Sequence, residues 1–227
     1  MAQSVLIIAE SGSGKSTSIR NLDPKETAII NIANKPLPFK GWKSKYTPLD
    51  KANPSGNLIS TSTGAGVYKA MQHVSDKMPH IKALVVDDWQ YMSSFEYFDK
   101  ANEKGYDKFT QIAANLAQVA KLPKDLREDL TIFFLTHAEE STDVNGHRKV
   151  KAKTVGKMID NTLTLEGLFS IVLFGKIRKD EDGTLHYGFE TQNNGENTCK
   201  SPIDMFEEEF IPNDLQYVKD AIVAYEN

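Results

Sequence analysis

Gly12, Gly14, Lys15 and Ser16 close the run Ala9-Glu10-Ser11-Gly12-Ser13-Gly14-Lys15-Ser16, which sits directly behind the apolar segment Val5-Leu6-Ile7-Ile8. Glycines at 12 and 14 let the main chain curl, so that successive N–H groups point inward as a nest for an anion. A lysine and a hydroxyl at the closing positions suit a polyphosphate: the ammonium reaches the β- and γ-phosphates and the hydroxyl coordinates Mg²⁺. This is the Walker A pattern, with Ala9 where the first glycine usually stands. Ser11, Gly12, Ser13, Gly14, Lys15, Ser16 and Thr17 are the expected nucleotide contacts. A helix is expected from Ser16 to Leu22, its positive end adding to the cradle.

A second constellation is Ala83-Leu84-Val85-Val86-Asp87-Asp88. An apolar strand ending in acid is the Walker B arrangement, which delivers a carboxylate to the edge of the sheet. Asp87 and Ser16 are the expected Mg²⁺ ligands. Asp88 either orients or deprotonates an attacking water, or caps the helix that begins near Trp89. A third apolar run, Thr131-Ile132-Phe133-Phe134-Leu135, ends in Thr136-His137, where a side chain could sense the terminal phosphate. Lys15, Asp88, Thr136 and His137 are the expected catalytic group.

The segment 141–161 is polar and basic, carries Arg148, Lys149, Lys151, Lys153 and Lys157, and reads as a mobile surface loop. Such cations serve nucleic-acid phosphates, or the γ-phosphate of a neighbouring subunit, or only water. Lys176 and Arg178, at the end of a fifth apolar run, are further candidates for such a finger.

The elements that must position these groups follow from the apolar runs. Segments 4–8, 27–32, 81–86, 131–135 and 169–174 are short, continuous and rich in β-branched or aromatic residues. Such runs suit strands buried on both faces of a parallel sheet. Helical periodicity fills the gaps at 66–78 and 112–120, which predicts a three-layer α/β fold with right-handed crossovers. Segment 34–63, with Pro36, Pro38, Pro48 and Pro54, is an insertion with room for a small strand at 57–60. Asp182-Gly183 between two alternating runs predicts a hairpin extending the sheet. Pro212-Asn213 opens a last helix with Leu215, Val218, Ile222 and Tyr225 as its apolar stripe. The chain reads as one domain over 1–227, with 176–227 as a hairpin-and-helix appendage.

Net charge is −4, so attraction to nucleic acid must come from a local patch. One cysteine, Cys199, excludes a disulfide framework and suits a reducing cytosol. The apolar run at the N-terminus is too short for a signal sequence or a membrane span.

Together the N-terminal P-loop, the Asp87-Asp88 and Thr136-His137 strand ends and the compact tail resemble RecA-like P-loop ATPases encoded by bacteriophages, proteins often labelled only as AAA-family ATP-binding proteins. The tail adds Tyr187-Gly188-Phe189-Glu190-Thr191-Gln192-Asn193, Lys200-Ser201-Pro202, Phe206 and Ile211-Pro212-Asn213-Asp214-Leu215. The resemblance implies a RecA-type core, ATP and Mg²⁺ binding, and a role in phage DNA recombination or replication. It also implies assembly on single-stranded DNA and a single-strand-binding or annealing protein as partner, in the host cytoplasm. The sequence departs from recombinases at Ile29-Ile30-Asn31-Ile32-Ala33-Asn34, where a water-activating glutamate is usual and asparagines stand instead. An N-terminal oligomerisation segment is not evident either.

The expected function is therefore Mg²⁺-dependent ATP hydrolysis on DNA by a homo-oligomer. An ATP-dependent binding module with little turnover is the alternative that the missing glutamate motivates. A P-loop small-molecule kinase, with 148–157 as a cationic lid, is the third.

Overall fold

The computed structural model describes residues 1–142, 146, 148–154 and 164–226. Its strands are β1 (Gln3–Ala9), β2 (Thr27–Asn31), β3 (Leu58–Ser60), β4 (Ala83–Asp87), β5 (Thr131–Thr142), β6 (Arg148–Ala152), β7 (Ile171–Lys179), β8 (Leu185–Glu190) and β9 (Phe210–Pro212). Among the described residues these make one nine-stranded sheet in the order β3-β2-β4-β5-β1-β7-β8-β9, with β6 paired to β5. β1 lies between β5 and β7 and runs parallel to both. β2 pairs in parallel with β3 and β4, and β4 with β5. The pairs β5–β6, β7–β8 and β8–β9 are antiparallel.

The apolar runs are continuous because helices cover both faces of the sheet. The other elements are α1 (Trp42–Lys45), α2 (Gly64–Lys77), α3 (Gln90–Asp99), α4 (Asp107–Lys121) and α5 (Leu215–Glu226). On one face Val67, Met71 and Val74 of α2, Met92 of α3, and Leu116 and Val119 of α4 pack on Leu6, Ile8, Ile30, Leu84, Val86 and Phe134. On the other, Ile19, Leu22, Leu215, Val218 and Ile222 pack on Val5, Ile7, Ile29, Val85, Phe133 and Leu135. This is a mostly parallel three-layer α/β fold. Every parallel strand delivers its C-terminal end to the same edge, so Ala9, Asn31, Asp87 and His137 gather there.

Several expectations change. The segment after the P-loop is a short 3-10 helix, Ser16–Asn21, rather than a longer helix through Leu22. Serines compete with the helix for its own carbonyls, as the 2.5 Å bond from Ser18 Oγ to the Lys15 carbonyl shows. Pro24 then forbids continuation. The basic segment is in part regular: β5 runs to Thr142 and pairs with β6, with Glu139 opposite Lys151 and Ser141 opposite Lys149. Val150 and Ala152 are buried, so Lys149 and Lys151, which alternate with them, take the outer side of the ladder. The tail follows the expectation: β8 and β9 extend the main sheet as an antiparallel hairpin and strand, and the last helix, α5, covers one face. Burying Leu215, Val218 and Ile222 there contributes on the order of 5 kcal/mol. Tyr225 does not join that stripe and stands half-exposed. The insertion supplies β3 at the sheet edge. There the buried Asn57 accepts from the Thr47 N–H at 2.9 Å and donates to the Pro24 carbonyl at 2.8 Å, fastening the insertion to the start of β2.

Candidate functional site

The phosphate loop leaves β1 at Ala9 and turns through Gly12 (φ 80°) and Gly14 (φ 92°), conformations that side chains other than glycine's adopt only under strain. Ser13 Oγ donates to the Glu10 carbonyl at 2.6 Å and closes the turn. Alanine is tolerated at the first Walker position because of a residue across the ladder. Ala9 faces Gly175 of β7, and a Cβ at 175 would come within 2.7 Å of the Ala9 Cβ. The glycine that the loop lacks is, in effect, on the neighbouring strand. Lys15 is only 6% exposed, and its Nζ donates to the carbonyls of Ala9 (2.9 Å) and Glu10 (2.8 Å). The ammonium is thus held at the mouth of the loop.

Ser16 Oγ donates to Asp87 Oδ1 at 2.9 Å, joining the loop to the end of β4. Asp87 is fully buried, and its Oδ2 has no hydrogen-bond partner. A hydroxyl next to a buried carboxylate with one free oxygen fits Mg²⁺, which takes few protein ligands and keeps waters and phosphate oxygens for the rest. The residues present therefore fit a magnesium-bound polyphosphate.

Asp88 follows in a left-handed conformation (φ 58°), which turns its carboxylate from the strand toward the loop cavity. Lys35 Nζ forms an ion pair with its Oδ2, and His137 Nε2 lies 3.5 Å from its Oδ1. Lys35 was not among the residues singled out from sequence. It is presented by Asn31 at the end of β2, whose amide donates to the Lys35 carbonyl at 2.7 Å. The asparagine standing near the position of the usual glutamate thus builds the turn that carries a cation. Lys15, Ser16, Lys35, Asp88 and His137, with Ser11, Gly12, Gly14, Thr17, Pro36 and Pro38, line one open cavity of about 290 Å³.

Burial sets the charges of this group. It lowers the Lys15 ammonium to about 8 even though Asp88 and Asp87 pull the other way. It raises Asp87 to about 6, helped by the neighbouring Asp88 and opposed by the Ser16 hydroxyl. Asp88 is also penalised by burial, but hydrogen bonds from His137 and Lys35 prevail and hold it below the ordinary carboxylate range. Lys35 is raised, because the bond and charge of Asp88 outweigh burial. Affinity for a magnesium nucleotide is therefore expected to peak between about pH 6 and 8. Above about 8 the unliganded Lys15 is neutral, and affinity falls by up to about tenfold per pH unit. Below about 6 Asp87 is protonated, and the phosphate's own ionisation near 6 adds to that limb. The alkaline limb is the protein's own signature. Calorimetric titration from pH 6.5 to 9.5 measures it, and a flat profile above pH 8 would contradict the burial of Lys15.

The other expected residues are dispersed. Thr136 lies one residue before His137 and so faces the opposite side of the sheet. There it lines a small cavity with Trp89, Gln90 and Ser93, and its Oγ1 is buried without a partner. Lys176 and Arg178 both approach Glu190 Oε1, at 3.0 and 3.5 Å, and the Arg178 guanidinium lies 4.0 Å from the centre of the Phe210 ring. Lys176 also borders a cavity that reaches Glu10 of the loop. Lys149 is exposed and Lys151 half-buried on β6. Lys153 follows the strand, its N–H donating to the His137 carbonyl at 2.8 Å. Arg148 occupies the β6 position opposite Thr142. Lys157 lies outside the described residues.

A parallel sheet whose central strand opens into this loop, with an acidic strand end one strand removed and bonded to the loop's serine, defines a P-loop nucleotide-binding domain. The family described as AAA domain has a model that matches residues 1–203, and the chain belongs to that family. A search of curated proteins finds no match. Among the described residues no helix is long and apolar enough to cross a membrane.

Proposed function

We propose that this chain binds ATP with Mg²⁺, hydrolyses it, and works as a homo-oligomer on single-stranded DNA in recombination or replication. The observation that carries the hydrolytic part is the Ser16–Asp87 bond beside an ion-paired Asp88 at the mouth of the loop. Bound Mg²⁺ supplies charge neutralisation at the phosphoryl oxygens. Lys15 adds its ammonium to the β- and γ-phosphates, and the turns at Gly12 and Gly14 supply main-chain donors. Asp88, kept ionised by Lys35 and His137, accepts a hydrogen bond from the attacking water and fixes its line of approach. It acts by position and charge rather than as a strong base, which suits a reaction driven mostly by positioning. His137 touches that carboxylate, and its main-chain carbonyl touches Lys153, so a change at the γ-phosphate has a short path to the basic β-ladder.

Two features support DNA as the polymer. Lys149 and Lys151 stand on the outer side of β6. Exposed Phe98 and Tyr106 cluster with Tyr97 and Phe109, and the Lys108 ammonium lies 5.4 Å from the centre of the Phe109 ring, a mixture of stacking faces and a cation that suits unpaired bases. A single-strand-binding or annealing protein is the partner we propose from the resemblance to phage ATPases, and the reducing cytosol the compartment. Burial raises the Cys199 thiol to about 12, so it is inert there.

A second reading, nucleotide-dependent binding with little turnover, is favoured by one specific observation. Where a basic glutamate would stand, Asn31 holds the Lys35 turn, and Lys35 ties up Asp88. Steady-state turnover with and without a single-stranded oligonucleotide separates the two. The first expects stimulation by DNA and binding that weakens as salt rises. A Lys149→Glu, Lys151→Glu protein is expected to bind DNA about tenfold more weakly with a shallower salt dependence. Tight ATP binding with no hydrolysis under any DNA condition would favour the second.

A further inference from the structure

A second cavity, of about 330 Å³, lies against the other side of the phosphate loop, and nothing in the hydrolytic machinery uses it. Its walls are Gly12, Gly14, Thr17, Arg20, Tyr187 and Asn213. It shares Gly12, Gly14 and Thr17 with the cavity that holds Lys15 and Asp88. A phosphate chain lying over those residues therefore emerges into this space, and the volume falls within the range of small-ligand pockets.

Two side chains give it the chemistry of a nucleobase site. Tyr187 of β8 stands at the rim, 45% exposed. Asn213 is 4% exposed and its Nδ2 has no hydrogen-bond partner, a cost that a ligand group can relieve. The Asn213 amide packs against Gly14, where an added Cβ would lie 3.1 to 3.4 Å from it, so it sits directly on the phosphate loop. The wall is also fixed. Arg20 donates to the Asn213 carbonyl at 2.8 Å and to the Thr17 carbonyl at 3.1 Å. Asn21 Nδ2 donates to Asp214 Oδ2 at 2.6 Å, and the Asn213 N–H donates to the Tyr187 carbonyl at 3.2 Å. Tyr187, Asn213 and the loop thus form one bonded unit.

We propose that this cavity receives the nucleobase, with the Tyr187 ring stacked on its face and the Asn213 amide bonded to its edge, and that it selects adenine. An amide offers one donor and one acceptor side by side, which matches the N7 acceptor and N6 donor of adenine; guanine presents two acceptors along the same edge. The inference rests on the reading that the loop binds a triphosphate.

The test is calorimetric binding of ATP, GTP and inorganic tripolyphosphate, each with Mg²⁺, to the full chain and to Tyr187→Ala, Tyr187→Phe and Asn213→Leu. Wild type is expected to bind ATP at least about tenfold more tightly than GTP or tripolyphosphate. Tyr187→Ala is expected to lose about tenfold for ATP and nothing for tripolyphosphate, and Tyr187→Phe to retain the affinity. Asn213→Leu is expected to bring ATP and GTP together while leaving tripolyphosphate unchanged. Equal affinity of wild type for ATP and tripolyphosphate would overturn the proposal. So would an equal loss of both ligands in Tyr187→Ala, which would mean that the ring only shapes the loop. Failure of wild type to bind any of the three would instead remove the triphosphate reading, a result distinguishable from lost base selection.

Discussion

A Lys15→Met protein is expected to lose ATP turnover by at least about 100-fold while remaining folded. The ammonium is nearly inaccessible and is already directed at the mouth of the loop by the Ala9 and Glu10 carbonyls. An incoming phosphate finds this charge in place, in a setting where it is poorly screened, and methionine keeps the volume of the stem without the charge. The fold should not suffer, because burial disfavours this charge. The lysine is pulled down to about 8 from its ordinary value, so the folded state binds its proton less tightly than the unfolded chain does. That cost is present in full below about pH 8 and fades as pH rises toward the ordinary value of 10.5. The thermal midpoint of Lys15→Met should therefore match or exceed that of wild type at pH 7, with the comparison turning toward wild type at pH 10. Turnover undiminished in the variant would remove the loop from the reaction. A collapsed midpoint would mean that the lysine's bonds to Ala9 and Glu10 are structural supports first.

How much of this was legible in the sequence depended on whether a signal was local. The strands within 4–8, 27–32 and 81–86 are legible as apolar runs because both faces of the sheet are covered. The loop was legible because glycines, lysine and serine must follow one another directly. The β6 strand was hidden by its charges, although Val150 and Ala152 alternating with lysines is a period of two. Thr136 was expected beside the γ-phosphate, but the same alternation carries it away. Leu135 and His137 share the loop's side of the sheet, and Phe134 and Thr136 the other. Lys35 carries no local signal, because nothing in the sequence around Asn31 and Asn34 shows that Asn31 closes a turn presenting a cation. Gly175, Tyr187 and Asn213 lay beyond any local pattern. They reach the loop only through the pairing of Ala9 with Gly175 and of Gly188 with Pro212, contacts between distant segments of the chain.

Asp87→Asn is expected to move stability and activity in opposite directions. Burial, with Asp88 alongside, raises this carboxyl to about 6, against an ordinary 3.8. Holding it ionised at neutral pH costs on the order of 3 kcal/mol of folding free energy. The sign follows from protons: between about 4 and 6 the folded state binds more of them than the unfolded chain. The cost is therefore absent below about pH 4, grows through that window and is constant above about 6. Asparagine keeps an oxygen to accept from Ser16 and removes the charge, but it leaves an amide N–H₂ where Oδ2 is buried without a partner, a cost of about 1–2 kcal/mol. The net gain of about 1–2 kcal/mol corresponds to a rise in thermal midpoint of roughly 2–8 °C at pH 7, shrinking as the measurement moves toward pH 4.5. Turnover should fall by at least about 100-fold, because the carboxylate bonded to Ser16 can no longer balance a divalent ion. Nucleotide affinity should also lose most of its dependence on Mg²⁺. Together these outcomes would assign the buried acid to cation binding rather than to folding. A variant with a lower midpoint at pH 7, or with intact magnesium-dependent turnover, would assign Asp87 to the scaffold instead.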